Sequence, residues 1–224
     1  MMTAKKFKHV DVDYVFENLP TTYGADGSRY YCAEDGKKYP SVTTVTGWEK
    51  QAFFAEWRRN NPAESRRVLN RGNKLHSAIE NYINNKDNPK QSLAPNEQIL
   101  FDQMQGELDK IDNVYAQEVP LWSSLLGLAG RVDCVAEYNG EMSIIDFKGS
   151  TREKRKSDIG NYFMQATAYS LMFQERTGVK IDKIVILISC EDGTVQSFVD
   201  SPINYVKKLH ECIKKYNKLT VKSY

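Results

Sequence analysis

The dipeptide Asn139-Gly140 constrains the fold of this chain more than any other feature. It stands between two β-prone runs, residues 130–138 and 141–148. Both central residues of a type I′ turn need a positive φ, which Asn and Gly adopt at low cost. The pattern therefore predicts a β-hairpin whose register places Asp133 directly opposite Asp146.

Two opposed carboxylates inside otherwise apolar strands need an explanation. Directly paired Cβ atoms lie about 4.5–5.5 Å apart, and like charges at that distance destabilise a sheet. A divalent cation between Asp133 and Asp146 would remove the repulsion, and their hard oxygen ligands suit Mg²⁺ or Mn²⁺. Lys148 follows two residues later on the same strand face. The alternative is a solvated edge face on which Lys148 simply neutralises the two aspartates.

The remaining patterns predict an α/β protein in which helices flank a mixed central β-sheet. Ser41 reads as a helix cap and Pro62 as a first helical residue. The expected strands are 9–16, 29–33, three within 114–148, 180–190 and 195–199; the expected helices are two or three within 42–85, one ending near Asn113, 158–177 and 203–218. We expect one domain over 1–224, with a β-hairpin extension (1–40), a helical wall or arch (41–113) and a catalytic core (114–224).

Composition excludes several classes of protein. The 224 residues are 41% hydrophobic and 27% charged, which is typical of a globular chain. No apolar run approaches the ~20 residues of a membrane span, and residues 1–8 lack an apolar secretion core. The four cysteines are too far apart for metal-ligand pairs and are expected to be reduced thiols. We expect no membrane partner and a cytoplasmic location, in a host cytoplasm if the protein is phage-encoded.

The net charge of +2 hides two basic islands, residues 49–76 and 151–156. Both could be solvated faces, which is the usual role of charge runs. Phosphate binding is favoured because the first island leads up to His76 and the second follows Lys148, and aromatic residues in the first island could stack on unpaired bases. The candidate DNA-binding residues are Trp57, Arg58, Arg67, Arg71, Lys74, Ser150, Thr151 and Arg152.

Several motifs in this chain resemble one family. Asp133 followed by Asp146-Phe147-Lys148 resembles the signature of the PD-(D/E)XK nuclease superfamily. The spacing of Gln165 and Tyr169 resembles the Gln-x-x-x-Tyr motif of its RecB-like exonuclease branch. Three further residues, Gly72, His76 and Glu80, are similar to that branch's Gly-x-x-x-His-x-x-x-Glu helix, and residues 39–43 resemble a stretch of a single-stranded DNA exonuclease.

The resemblance implies a restriction-endonuclease-like fold and a role for each matching residue. The metal ligands would be His76, Asp133, Asp146 and the main-chain carbonyl of Phe147, with Glu118 as a further acidic position. Lys148 would be the catalytic lysine, and Gln165 and Tyr169 would position the DNA or that lysine. From the residues alone, Tyr169 and His76 could equally be packed core residues. Some relatives carry a four-cysteine iron–sulfur cluster, but the cysteines here do not fit that spacing, so we expect none.

These inferences together predict an Mg²⁺- or Mn²⁺-dependent deoxyribonuclease. It would act as an exonuclease on DNA ends and prefer single strands. One alternative is a structure-specific or restriction-like endonuclease that uses the same metal centre. Another is a catalytically silent nucleic-acid-binding protein that assists recombination. Protein partners and pathway stay open, since replication, repair and recombination all use such nucleases.

Overall fold

The structure is a computed structural model that describes residues 5–220. The outermost four residues at each end of the predicted single domain lie outside this range. The strands are β1 (Thr21–Tyr23), β2 (Arg29–Cys32), β3 (Lys38–Pro40), β4 (Ile111–Ser123), β5 (Leu128–Tyr138), β6 (Glu141–Ser150), β7 (Lys183–Cys190) and β8 (Val195–Asp200). The α-helices are α1 (Val42–Gly47), α2 (Gln51–Asn60), α3 (Pro62–Ile83), α4 (Pro95–Leu108), α5 (Gly160–Thr177) and α6 (Val206–Thr220).

The main sheet has the order β4-β5-β6-β7-β8 and is antiparallel except between β6 and β7. α5 is the crossover that joins these two parallel strands. Side chains of adjacent residues enter opposite cores, as Ile144 packs with α1, α5 and α6 while Ile145 packs with α3 and α4. The predicted α/β class, with a mixed sheet flanked by helices, is confirmed.

The predicted hairpin between β5 and β6 is also confirmed. Asn139 and Gly140 have φ values of 52° and 76°, as a type I′ turn requires. Pairing continues from the turn to Cys134 and Ile145, in the predicted register. Beyond that pair β5 remains hydrogen-bonded to β4, whereas β6 follows β7. The two strands therefore diverge and form a fork, which opens at Asp133 and Asp146.

The N-terminal extension forms a small antiparallel sheet of β1, β2 and β3. β2 matches the strand predicted over 29–33, but the strand predicted over 9–16 is wrong. In that segment His9 makes only an isolated bridge to Val114 of β4. The pairing cannot continue, because β4 is irregular there: Asn113 has a φ of 28° and the register of β4 shifts on both sides of Val114.

The helices begin where the sequence indicates. The side chain of Ser41 accepts a hydrogen bond from the main-chain N–H of Thr44 and caps α1, and Pro62 opens α3. The prediction that the next helix reaches Asn113 is wrong, since α4 ends at Leu108 and Ile111 already pairs with Tyr138. The positive φ of Asn113 is incompatible with a helix. The helical part of the chain is therefore shorter than the predicted span 41–113.

Across residues 5–220, every helix is too short or too polar to cross a lipid bilayer. Cys32, Cys134, Cys190 and Cys212 are free thiols, and burial raises the pKa of Cys134, Cys190 and Cys212 above the ordinary value. Buried protonated thiols are poor nucleophiles.

Candidate active site

Three acidic residues lie in one row across three adjacent strands. The pairs Gln117–Cys134 and Val119–Val132 enclose Glu118 on β4 and Asp133 on β5. The β5–β6 register places Asp146 on the other side of Asp133, where the fork opens. The main-chain N–H of Phe147 donates to Oδ2 of Asp133 at 2.9 Å. The Asp133 carboxylate therefore replaces the main-chain carbonyl that would otherwise continue the ladder.

His76 reaches this row from α3. Its Nδ1 lies 3.7 Å from Oδ2 of Asp133 and 4.0 Å from Oε1 of Glu118. One donor atom from each of these three residues lies within 4.8 Å of the others. Burial alone would lower the pKa of His76, but Asp133 and Glu118 outweigh it and raise the pKa. The three side chains form a pocket of nitrogen and oxygen ligands suited to a divalent cation.

Asp146 completes the acidic row from the buried side and is only 2% exposed. Its Oδ1 accepts hydrogen bonds from Nζ of Lys148 at 2.6 Å and from Nε2 of Gln165 at 3.0 Å. Burial raises the pKa of Asp146 to about 6, while the ammonium of Lys148 opposes the rise.

The surroundings of the second carboxylate oxygen of Asp146 indicate whether these residues fit a metal. Oδ2 is buried and accepts no hydrogen bond from any residue within 5–220. A buried acceptor left unpaired costs about 1–3 kcal/mol, and more when it is charged. A cation beside Oδ2 would remove that cost, so the residues fit a divalent metal. The predicted ligand role of the Phe147 carbonyl stays a prediction.

Lys148 lies beside Asp146, and its side chain is largely buried. Burial would lower its pKa, but Asp146 and Asp133 outweigh burial and raise the pKa above the ordinary value. Its Nζ lies 5.3 Å from the centre of the Tyr162 ring on α5. Lys148 is therefore a permanent positive charge at neutral pH, placed against an aromatic face.

The two motif residues of α5 occupy different places. Gln165 is buried and donates to Asp146, so it fixes a carboxylate of the row. Tyr169 is 2% exposed, and its hydroxyl lies against Gly130 of β5. Burial raises the pKa of Tyr169 well above the ordinary value. Tyr169 thus presents almost no surface to DNA and supports the strand that carries Asp133.

Glu80 is half-buried on α3, and its main-chain carbonyl accepts a hydrogen bond from Nε2 of Gln117 at 3.4 Å.

Three of the predicted DNA-binding residues lie on α3, and each is paired with a carboxylate. Arg67 and Arg71 both bind Glu191 in the turn after β7, and Arg71 is only 4% exposed. Lys74 binds Glu97 of α4 at 2.9 Å. Their contact with DNA stays a prediction. The partners lie far along the chain, so no local spacing reveals these pairs.

Of the DNA-binding residues predicted at or beside the second island, Arg152 lines a cleft. Ser150 is buried, and its hydroxyl donates to the carbonyl of Arg152 at 2.6 Å, while Thr151 and Arg152 are exposed. The cleft has a volume of about 460 Å³ and is lined by Arg152, Lys154, Arg155 and Tyr162, among others.

A smaller cleft of about 280 Å³ adjoins the first and is lined in part by Arg58. The two share Lys50, Phe54 and Asn161 as lining residues. The sequence analysis selected none of the three as a site residue, although Lys50 and Phe54 lie within the first basic island. Trp57, the predicted stacking residue, is half-buried on α2.

Comparison with known proteins identifies the family. The model of the PD-(D/E)XK nuclease superfamily matches residues 49–211. The chain belongs to this superfamily. Its fork of β-strands with two aspartates and a lysine is thus the core of a restriction-endonuclease-like fold. The predicted resemblance to this superfamily is confirmed.

Sequence identity to individual relatives is low. Mitochondrial genome maintenance exonuclease 1 of Mus musculus is 28% identical over 177 residues, which cover 69% of this chain and 51% of the relative. The Homo sapiens protein of the same name is 28% identical over 178 residues, covering 69% and 50%. The chain spans about half the length of these curated relatives. A solved structure of a candidate exonuclease from Eubacterium rectale has 14% identity and a TM-score of 0.46, covering 69% of this chain and 66% of that one.

Proposed function

We propose that this PD-(D/E)XK nuclease is a divalent-metal-dependent exonuclease that acts on free DNA ends and prefers single strands. The observation that carries the proposal is the acidic row beneath His76, with Lys148 placed between it and a basic cleft. Tyr162 links the two, because its ring contacts Lys148 and also lines the larger cleft. A phosphate in that cleft would lie beside the proposed metal site.

The metal would be held by His76, Asp133, Glu118 and the unpaired Oδ2 of Asp146. A bound Mg²⁺ or Mn²⁺ supplies a Lewis acid for the scissile phosphate and a water of lowered pKa. Hard oxygen donors with one imidazole suit either ion, and Mn²⁺ accepts the imidazole more readily.

Lys148 and Gln165 have separate tasks in this proposal. Because Lys148 keeps its proton at neutral pH, it acts as a fixed positive charge that stabilises the negative charge developing on the phosphate, and not as a base. Its ammonium can also donate to the attacking water. Gln165 donates to Oδ1 of Asp146, which leaves Oδ2 available as a ligand for a metal.

A preference for single strands is supported by the aromatic residues of α2. None of its residues is buried, Phe53 is 65% exposed and Phe54 is 46% exposed. Bases can stack on such rings only when they are unpaired. Lys50 lines both clefts and supplies positive charge for the backbone of the same strand. The curated relatives are named as exonucleases, which supports action at ends.

The test is a cleavage assay with Mg²⁺ or Mn²⁺ on linear single-stranded, linear duplex and circular single-stranded DNA. We expect loss of the linear single strand first and an intact circle. Asp133→Asn should lower the rate by at least about 10²-fold, the usual loss when a transition-state stabiliser is removed. Lys207→Ala, which removes an exposed charge on α6, should leave the rate unchanged.

The other outcomes would replace the proposal. Cutting of the circle would establish an endonuclease that uses the same centre. Binding of DNA without cleavage, with either metal, would establish a silent nucleic-acid-binding protein. Full activity of Asp133→Asn would refute the assignment of the acidic row.

A further inference from the structure

Glu118 has an unusual backbone for a residue inside a strand. Its φ is 50°, a left-handed conformation that residues other than Gly seldom adopt. Successive side chains of a strand normally point to opposite faces. Here the neighbours Gln117 and Glu118 both reach α3, since Gln117 donates to the carbonyl of Glu80 and Glu118 approaches His76. The left-handed residue breaks the alternation and turns the Glu118 carboxylate to the metal pocket.

One side chain contacts the main chain of Glu118. Arg131 lies on β5 and pairs with Pro120 in the ladder. Its guanidinium donates through one terminal nitrogen to the main-chain carbonyl of Glu118, and through the other to Oδ1 of Asn18 at 3.3 Å. Glu118 has no partner in the ladder between β4 and β5. The guanidinium therefore supplies the hydrogen-bond donor that the Glu118 carbonyl does not find on β5.

We propose that Arg131 is a positioning residue for the metal site. It holds the peptide of Glu118 in the left-handed conformation, and this directs the carboxylate to His76 and Asp133. Partners that orient a metal ligand commonly contribute 10–100-fold to metal affinity. The inference rests on the proposed function, because it takes Glu118 as a ligand.

An exposed arginine near a nuclease site has a simpler possible role, which is contact with a DNA phosphate. That role predicts weaker DNA binding and an unchanged affinity for metal. The positioning role predicts weaker metal binding in the complete absence of DNA. Metal affinity without DNA therefore separates the two.

The experiment measures Mn²⁺ affinity of the full chain without DNA, from the electron paramagnetic resonance signal of free Mn²⁺. Four proteins complete a double-mutant cycle: wild type, Arg131→Ala, Glu118→Ala and the double variant. We expect Arg131→Ala to weaken binding roughly 10-fold. In the Glu118→Ala background the same change should have no effect on Mn²⁺ affinity, because the carboxylate that Arg131 positions is already absent. Lys207→Ala, which removes a distant exposed charge, should bind Mn²⁺ as the wild type does.

Each other outcome is decisive. Unchanged Mn²⁺ affinity in Arg131→Ala, or an equal loss in both backgrounds, would overturn the positioning role. Absence of Mn²⁺ binding by the wild type would instead refute the proposed metal site itself. Arg131→Lys retains a donor and is expected to recover part of the affinity, which gives a second test should Arg131→Ala show altered circular dichroism.

Discussion

Tyr169 packs against Gly130 and so supports β5, the strand that carries Asp133. The substitution Gly130→Ala measures this support. A Cβ placed on Gly130 would lie 2.7 Å from the hydroxyl oxygen of Tyr169, 2.9 Å from Cε1 and 3.2 Å from Cζ. Carbon atoms in contact are normally about 3.5–4.0 Å apart, so Gly130→Ala creates an overlap of roughly 0.6–1.1 Å at Cε1. Tyr169 is 2% exposed and cannot swing into solvent.

The expected cost follows from the overlap. Overpacking of this size in a well-packed core destabilises a protein by about 1–3 kcal/mol. At about 2–4 °C per kcal/mol for a chain of this size, Gly130→Ala should lower the melting temperature by about 2–12 °C. Since Asp133 follows three residues later on β5, the displaced strand should also bind Mn²⁺ less tightly.

Thermal unfolding followed by circular dichroism measures the effect, and the chain offers a matched control. Gly106 is exposed in α4, and an added Cβ there meets no atom within 4 Å. Gly106→Ala should leave the melting temperature unchanged or raise it, since Ala favours a helix by up to about 1 kcal/mol over Gly.

A second substitution tests the cause of the loss. Combined with Tyr169→Leu, which removes the ring, Gly130→Ala should cost less than it does alone. A Gly130→Ala variant that melts within 1 °C of the wild type (about 0.3–0.5 kcal/mol), or strictly additive losses in the pair, would refute the reasoning.

Three other substitutions test the surroundings of the site. Gln165→Leu removes a donor to Asp146 at similar volume and should lower Mn²⁺ affinity and cleavage by about 10-fold; wild-type values in a metal titration would contradict its role. Glu191→Gln leaves the buried Arg71 without its counter-ion and should cost about 1–3 kcal/mol in urea unfolding; an unchanged midpoint would show that the pair contributes nothing. Burial would raise the pKa of Asp200, but hydrogen bonds from Lys156 and other donors outweigh it and lower the pKa. Its ionised form therefore stabilises the fold above the unfolded pKa of about 4 and loses that effect as the pH falls. Asp200→Asn should be less stable than the wild type at pH 7, with a smaller difference at pH 3; equal differences at both pH values would contradict this.

The sequence revealed the parts of the site that depend on local patterns. Asn139-Gly140 fixes a turn by its own backbone preferences, and the register of Asp133 and Asp146 then follows by counting. Gln165 lies one helical turn from Tyr169, so their shared helix was also predictable. Each of these inferences depends on residues within one element or one hairpin.

The parts that stayed hidden depend on distant contacts. No pattern in the sequence indicates that Glu118 adopts a left-handed conformation, because that conformation is held by a side chain of the next strand. The pairing of Arg71 with Glu191 joins segments far apart in the chain, so the spacing of the basic residues on α3 could not predict it. The clefts around Phe54 arise from the packing of α2 beside the segment that leads into α5, which propensity alone does not determine.

The acidic row has a consequence for how the protein folds. Glu118, Asp133 and Asp146 all belong to the consecutive strands β4, β5 and β6, whereas His76, on α3, precedes this meander and Gln165, on α5, follows it. Contacts between neighbouring segments form early, because little chain entropy is lost in closing them. The meander should therefore bring three mutually repelling carboxylates together before the helices arrive, with Lys148 of β6 as only a partial counter-charge. A divalent cation present during refolding would relieve that repulsion in the transition state, and the folding rate itself would then report the metal site.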